Sequence, residues 1–227
     1  MNRKKPARTL LFAASLLFAA ACSQSAFAEE AVLAPAAKVI SSESGKQTAI
    51  FAGGCFWGIE GVFSHLKGVS SAVSGYHGGG KADAVYSKVS DGNTGHAEAV
   101  KVTYDPKVIR YDQLLRVFFS VGADPTTLNY QGPDRGTQYR SALVPLNAEQ
   151  AKVAKAYLAQ IGKSGVWKAP IVTKIEAYKV FYPAEQHHQD FMLRNPNQGY
   201  IVRWDKPKVA ALKKMFPGLY SPAFKTG

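Results

Sequence analysis

Gln47-Thr48-Ala49-Ile50-Phe51-Ala52-Gly53-Gly54-Cys55-Phe56-Trp57-Gly58-Ile59-Glu60 is the stretch whose reading decides the fold. Residues 48–52 form a short apolar run broken by two glycines, the pattern of a strand that ends in a turn. From Cys55 onward the apolar residues Phe56, Ile59, Phe63 and Leu66 fall at helical spacing. Cys55 is therefore expected at or beside the first turn of a helix, where amide dipoles lower a thiol pKa and favour the nucleophilic thiolate. Gly53 and Gly54 permit a tight turn and let a substrate approach the backbone. Phe56 and Trp57 supply an apolar wall beside the sulfur, suited to a small group such as a methyl. The local residues also admit a plainer reading, because free cysteines are often buried and inert.

Outward from this stretch, strands and helices alternate. Residues 69–76 read as a strand closed by Gly78-Gly79-Gly80, and residues 97–104 as a strand that stops at Asp105-Pro106. Residues 111–121 read as a helix, and 122–138 as a long loop rich in Gly, Pro, Asn and Asp, a type that is often functional. Residues 141–146 and 171–178 read as strands, and 184–194 as a short helix. Asn147 and Gln150 form a capping pair for a helix that runs to Ile161. Asp205 is placed to cap a last helix with Pro207 in its first turn. The pattern predicts an α+β fold: a two-layer sandwich of a mixed, mainly antiparallel sheet and packed helices, with the reactive cysteine at a helix N-terminus.

The N-terminus reads as an export signal. Arg3, Lys4, Lys5 and Arg8 precede an apolar stretch over 9–21, and Ala26-Phe27-Ala28 is a small-x-small cleavage site. Residues 1–28 are thus expected to be a signal peptide, 29–46 a loose leader and 47–227 the domain, in an exported protein, periplasmic or secreted. A minority reading makes Ala19-Ala20-Ala21-Cys22 a lipid-attachment site. The chain has two cysteines in 227 residues, so loss or acylation of Cys22 leaves Cys55 as its sole thiol. Hydrophobic content of 46% excludes global disorder. Removing four cations with the signal reduces the net charge from +12 to +8. These cations are scattered, which gives little support for nucleic-acid binding, and a monomer is expected.

Three further clusters stand out. Tyr86 and Gly95-His96-Ala97-Glu98 precede and open a strand; a desolvated Glu98 can stay protonated as an acid near neutral pH, or it can be an exposed partner of a lysine. Gly132-Pro133-Asp134-Arg135-Gly136-Thr137-Gln138-Tyr139-Arg140-Ser141 is a polar loop in which Asp134 can accept and Tyr139 donate hydrogen bonds, or in which Asp134 simply makes a turn. His187 and His188 point to different helix faces and make a poor metal pair; support of a loop is the expected role.

Taken together, these blocks resemble the peptide methionine sulfoxide reductase A family. Gly53-Gly54-Cys55-Phe56-Trp57-Gly58-Ile59-Glu60 is similar to its nucleophile motif, and Gly75-Tyr76, Gly78-Gly79, Tyr86 and Thr94-Gly95-His96-Ala97-Glu98 to its second block. Tyr104-Asp105-Pro106, residues 134–141, Pro183-Ala184-Glu185 and His188-Gln189 complete a match in order over residues 48–220. The resemblance implies reduction of methionine S-sulfoxide, free or in proteins, without metal or cofactor. It implies Cys55 as nucleophile, Glu98 as acid toward the sulfoxide oxygen, Tyr86 and Tyr139 as hydrogen-bond donors to that oxygen, Phe56 and Trp57 as the methyl socket, and Asp134 as organiser of the pocket. Many relatives resolve the cysteine sulfenic acid with a second cysteine near the C-terminus, and residues 199–227 contain none. An external thiol reductant is expected instead: glutathione, glutaredoxin or a thioredoxin-like protein. A cysteine hydrolase using His96 or His188 as base, a thiol peroxidase and a methionine-peptide binding domain are the rival readings.

Overall fold

The computed structural model describes Met1 and residues 31–227. The proposed signal peptide and Cys22 lie outside the described residues. The principal sheet contains β1 (Gln47–Gly53), β2 (Val69–His77), β3 (Ala97–Tyr104), β6 (Ser141–Val144), β7 (Lys174–Ile175) and β8 (Phe181–Pro183). Its order is β7-β6-β1-β3-β2-β8, antiparallel throughout except for the parallel β6–β7 pair. A small hairpin joins β4 (Tyr130–Gln131) to β5 (Asp134–Arg135). The helices are α1 (Phe56–Ser64), α2 (Tyr86–Val89), α3 (Tyr111–Val117), α4 (Ala148–Ile161), α5 (Phe191–Arg194) and α6 (Lys206–Met215).

The period of two along the strands divides the core. Phe51, Val100, Val102, Tyr104 and Leu143 face α1, α3 and α4 and join Phe56, Ile59, Phe63 and Leu114 in the main core. Ile50, Ala52, Ala97, Ala99 and Val144 turn to the opposite face, where Phe181 covers them. Each large side chain buried in this way contributes about 2 kcal/mol. The α+β class, the mainly antiparallel sheet and the packed helices agree with the sequence reading.

Several boundaries differ. The helix expected over 111–121 is α only to Val117 and continues as a π-helical turn, Phe118–Gly122. The strand expected over 171–178 pairs only at Lys174–Ile175, because it is a short edge strand next to β6. The helix expected over 184–194 is a 3-10 turn, Gln186–His188, and then α5, separated by Asp190 at φ +52°. Asn147 caps α4 by accepting from the Gln150 N–H at 2.8 Å, as expected, but Gln150 turns its own oxygen to the Leu146 N–H.

Residues 31–46, read as a loose leader, are laid against the domain. They contain no helix or strand, yet Ala34 is fully buried and its N–H donates to Ser120 Oγ at 2.9 Å. Glu43 is the main clasp. Its carboxylate accepts from Tyr104 Oη at 2.5 Å, Asn147 Nδ2 at 2.9 Å and Gln150 Nε2 at 3.0 Å. Polar composition suggested a detached segment, but these partners are distant in sequence and so invisible in it. Replacing Glu43→Ala removes an acceptor from these three donors and from Ser41 Oγ, 3.2 Å away, and is expected to cost about 1–3 kcal/mol, read as a lower urea midpoint; an unchanged midpoint would mean that the clasp adds nothing.

Candidate active site

The turn from β1 into α1 requires its glycine. Gly54 has φ +88°, and a Cβ there would meet Gln131 Cβ at 2.5 Å. The chain can therefore turn sharply and set Cys55 at the N-cap of α1. Cys55 is 9% exposed and is the free cysteine among the described residues.

β3 supplies the acid. Glu98 shares its strand face with Val100 and Val102, so it points beneath the start of α1. Its Oε2 accepts the Phe56 N–H at 3.0 Å. Burial, reinforced by Asp134 and Asp205, pushes its pKa up to about 8, so the carboxyl holds its proton at neutral pH.

The expected lowering of the Cys55 pKa is corrected by the structure. The Trp57 N–H does favour the thiolate, but burial outweighs it, with the charges of Asp205, Glu98 and Asp134 added as those acids ionise, and pushes the thiol well up. A helix N-terminus lowers a thiol pKa only where neighbouring charge does not oppose it. The resting site is a neutral thiol beside a neutral carboxyl.

The two tyrosines come from separate segments and face the same centre. Tyr86 opens α2; its N–H donates to Glu185 Oε1 at 2.8 Å, while Tyr76 Oη donates to Glu185 Oε2 at 2.8 Å. Tyr139 ends a 3-10 turn, Thr137–Tyr139, held by the Gln138 amide on Ser90 O at 3.0 Å. Burial and the nearby acids raise both phenols, so they remain donors. Asp134 accepts from Tyr200 Oη. Phe56 is fully buried between Tyr76 and His188, and Trp57 stacks on Phe191 at 3.8 Å.

His96 is committed elsewhere: Nδ1 accepts the Gly79 N–H at 3.2 Å and Nε2 lies 2.9 Å from Gly80 O. His188 is buried among the rings of Phe56, Trp57 and Tyr86, and burial lowers its pKa. Among the described residues no His, Cys, Asp and Glu cluster has the form of a metal site.

Three residues of the site escaped the sequence reading. Glu185 was visible only as part of a motif, and its tie to Tyr86 spans 99 positions. Tyr200 gave no local signal. Asp205 was read as a helix cap, but the π-helical turn Ile201–Asp205 leads directly into α6 and the carboxylate makes no capping bond. It is instead fully buried without a hydrogen-bond partner, and a Cβ on Gly58 would meet its Oδ1 at 2.2 Å. A cavity of about 460 Å³ opens beside Cys55 and Asp134, walled by Phe119, Trp167, Tyr200 and Trp204.

This arrangement, a thiol at a helix start beside a protonated carboxyl, belongs to a class of thiol-dependent oxidoreductases. Residues 47–218 match the model of the family described as peptide methionine sulfoxide reductase. The chain is 60% identical over 177 residues to peptide methionine sulfoxide reductase MsrA 2 of Mesorhizobium japonicum, covering 78% of this chain and 91% of that one. It is 50% identical over 171 residues to MsrA of Deinococcus radiodurans, covering 75% and 82%. Among solved structures it is similar to reduced Mxr1 of Saccharomyces cerevisiae, with TM-score 0.58, 35% identity and coverage of 72% and 93%. It is also similar to methionine sulfoxide reductase A of Corynebacterium diphtheriae, with TM-score 0.57, 28% identity and coverage of 74% and 89%. The chain belongs to the peptide methionine sulfoxide reductase family.

Two predictions follow from the acids. Burial raises Glu60 and Glu98 from 4.5 to about 8, and Asp205 from 3.8 to about 7. Each holds a proton in the folded state that the unfolded state has released, so stability falls as pH rises through that window. His77 and His188, lowered from 6.5, act oppositely only below that value. The urea midpoint is therefore expected to fall between pH 6.5 and 8, with a shallower fall in Glu98→Gln; a flat profile in the parent protein contradicts the assignment. Asp205→Asn removes a charge that opposes the thiolate, so the pH midpoint for alkylation of Cys55 is expected to move down. An unmoved midpoint in a folded variant would show that Asp205 does not act on the thiol.

Proposed function

We propose that this peptide-methionine (S)-S-oxide reductase works through a cysteine sulfenic acid, with no resolving cysteine of its own. The observation that carries the mechanism is the juxtaposition of Cys55 with a protonated Glu98 at the start of α1.

In the first half-reaction the Cys55 sulfur attacks the sulfoxide sulfur while Glu98 protonates the oxygen. As the oxygen takes the Glu98 proton, the thiol proton passes to the Glu98 carboxylate, so the buried site holds no net new charge, which burial would penalise. The S–O bond of the substrate breaks, its oxygen passes to the Cys55 sulfur and methionine leaves; the sulfoxide is reduced by two electrons and Cys55 is oxidised by two, ending as sulfenic acid. Tyr86 and Tyr139, kept as phenols, donate hydrogen bonds to the oxygen as its charge grows. Trp57, backed by the buried ring of Phe56, holds the methyl, and Asp134, fixed by Tyr200, orders the polar side of the pocket.

In the second half-reaction an external thiol attacks the sulfenic sulfur, giving a mixed disulfide and water. A second thiol then releases Cys55 and leaves as the oxidised disulfide. Cys55 is the free thiol among the described residues, and residues 199–227 have no cysteine, which supports this one-cysteine cycle. The basic, apolar, small-x-small pattern of residues 1–28 supports export, and so repair of oxidised proteins outside the cytoplasm.

The test follows each methionine sulfoxide epimer separately in the presence of dithiothreitol. The S epimer alone is expected to disappear. Cys55→Ser should abolish turnover, and Glu98→Gln should slow the single-turnover step on the order of 10²-fold. Equal loss of both epimers, or full activity without Cys55, would refute the reading. Mass spectrometry after turnover should find a mixed disulfide with the added thiol; an intramolecular disulfide would refute the one-cysteine cycle.

A further inference from the structure

Cys55 has two unlike surroundings. Glu98, Tyr86 and Tyr139 form a polar side that acts on the thiol electrostatically. None of these three borders the 460 Å³ cavity, which meets Cys55 and Asp134 from another direction. The chemistry assigned above uses the polar side and, of the lining of this hollow, only Cys55, Asp134 and Tyr200; its aromatic remainder is left without a role.

Its walls are aromatic and aliphatic. Phe119 comes from the π-helical turn after α3, Trp167 from the loop after α4, and Tyr200 and Trp204 from the segment leading into α6. The polar groups on the wall are largely occupied. Asp134 accepts from Tyr200, and Asp124 accepts the Thr126 N–H at 2.7 Å and its hydroxyl at 2.6 Å. A cavity of this volume lies in the range that takes a small molecule, which exceeds the needs of one methionine side chain. Trp204 is only partly buried, stands outside the hydrophobic core clusters and carries Arg203 over its ring at 5.2 Å. Its indole is therefore a wall for something else rather than core packing.

We propose that this hollow is a subsite for a large apolar side chain next to the oxidised methionine, so that the preferred substrates are peptides and proteins with methionine sulfoxide in an apolar sequence context. The proposal rests on the reductase reading above. The subsite is continuous with the reacting sulfur, since Cys55 lines it. A residue adjacent to the methionine can enter it while the sulfoxide oxygen faces Glu98. Burial of the flanking side chain among Trp167, Tyr200 and Trp204 removes apolar surface from water and allows offset or edge contacts with an aromatic ring.

The experiment measures kcat/KM of the purified enzyme for blocked tripeptides X-methionine S-sulfoxide-X, with X as Phe, Leu or Gly, beside free methionine S-sulfoxide. Phe and Leu peptides are expected to exceed the Gly peptide by about tenfold or more, mainly through KM. Trp204→Ala should bring the Phe-to-Gly ratio close to one, and Trp204→Phe should restore most of it. A second measurement does not depend on any variant: a methionine sulfone peptide carrying benzoylphenylalanine beside the sulfone should crosslink to Trp167 or to residues 200–211. Equal kcat/KM for all peptides, or crosslinks confined to other surfaces, overturns the subsite and leaves the reductase standing. Failure to reduce any substrate, free methionine sulfoxide included, overturns the reductase reading and the subsite with it.

Discussion

The bond from the Phe56 N–H to the Glu98 carboxyl, 3.0 Å long and fully inside the protein, is the constraint on which the rest of the site depends. It joins the first turn of α1 to the middle of the sheet, and so joins the thiol to the carboxyl. A helix begins with N–H groups that lack partners within the helix. A buried carboxyl needs a donor. Each satisfies the other, and the result sets Cys55 at the helix start with an acid beside it. The sheet register makes this possible, because Glu98 lies opposite Tyr76 on β2 and on the same face as Val100 and Val102.

The same low-dielectric setting governs the protonation states. Three acids, Glu98, Asp134 and Asp205, converge near Cys55, and burial raises all of them. Burial of the thiol, with the charges of these acids added to it, reverses the usual influence of a helix N-terminus on a thiol. A neutral thiol facing a neutral carboxyl suits a reaction in which one proton leaves sulfur and another reaches oxygen. It also protects the thiol from indiscriminate oxidation, since reactivity requires the thiolate. The segment from Tyr200 to Lys208 contributes at three levels: Tyr200 holds Asp134, Asp205 bears on the thiol, and Trp204 walls the cavity.

Much of this was legible from the chain. Cys55, its place at a strand-to-helix turn and the carboxyl at position 98 follow from glycine placement, helical spacing and strand alternation, which are local signals. The principal strands 48–52, 69–76 and 97–104 appear close to their expected limits for the same reason. Residues 171–178 did not, because an edge strand pairs only where its partner permits. Residues 31–46 did not, because Glu43 finds its donors 61 and more positions away.

The sequence by itself determined the placing of the thiol at a helix start, the carboxyl on its strand, the two-layer α+β architecture and the family, since each is written in residue types at short, fixed intervals. Only the tertiary structure decided that the thiol rests protonated, that Asp205 abandons its helix cap for the flank of α1, and that an aromatic cavity opens beside the sulfur. Those properties arise from charges and surfaces brought together across long stretches of chain. Coulomb energies and burial depend on distance in space, and no local pattern encodes that distance.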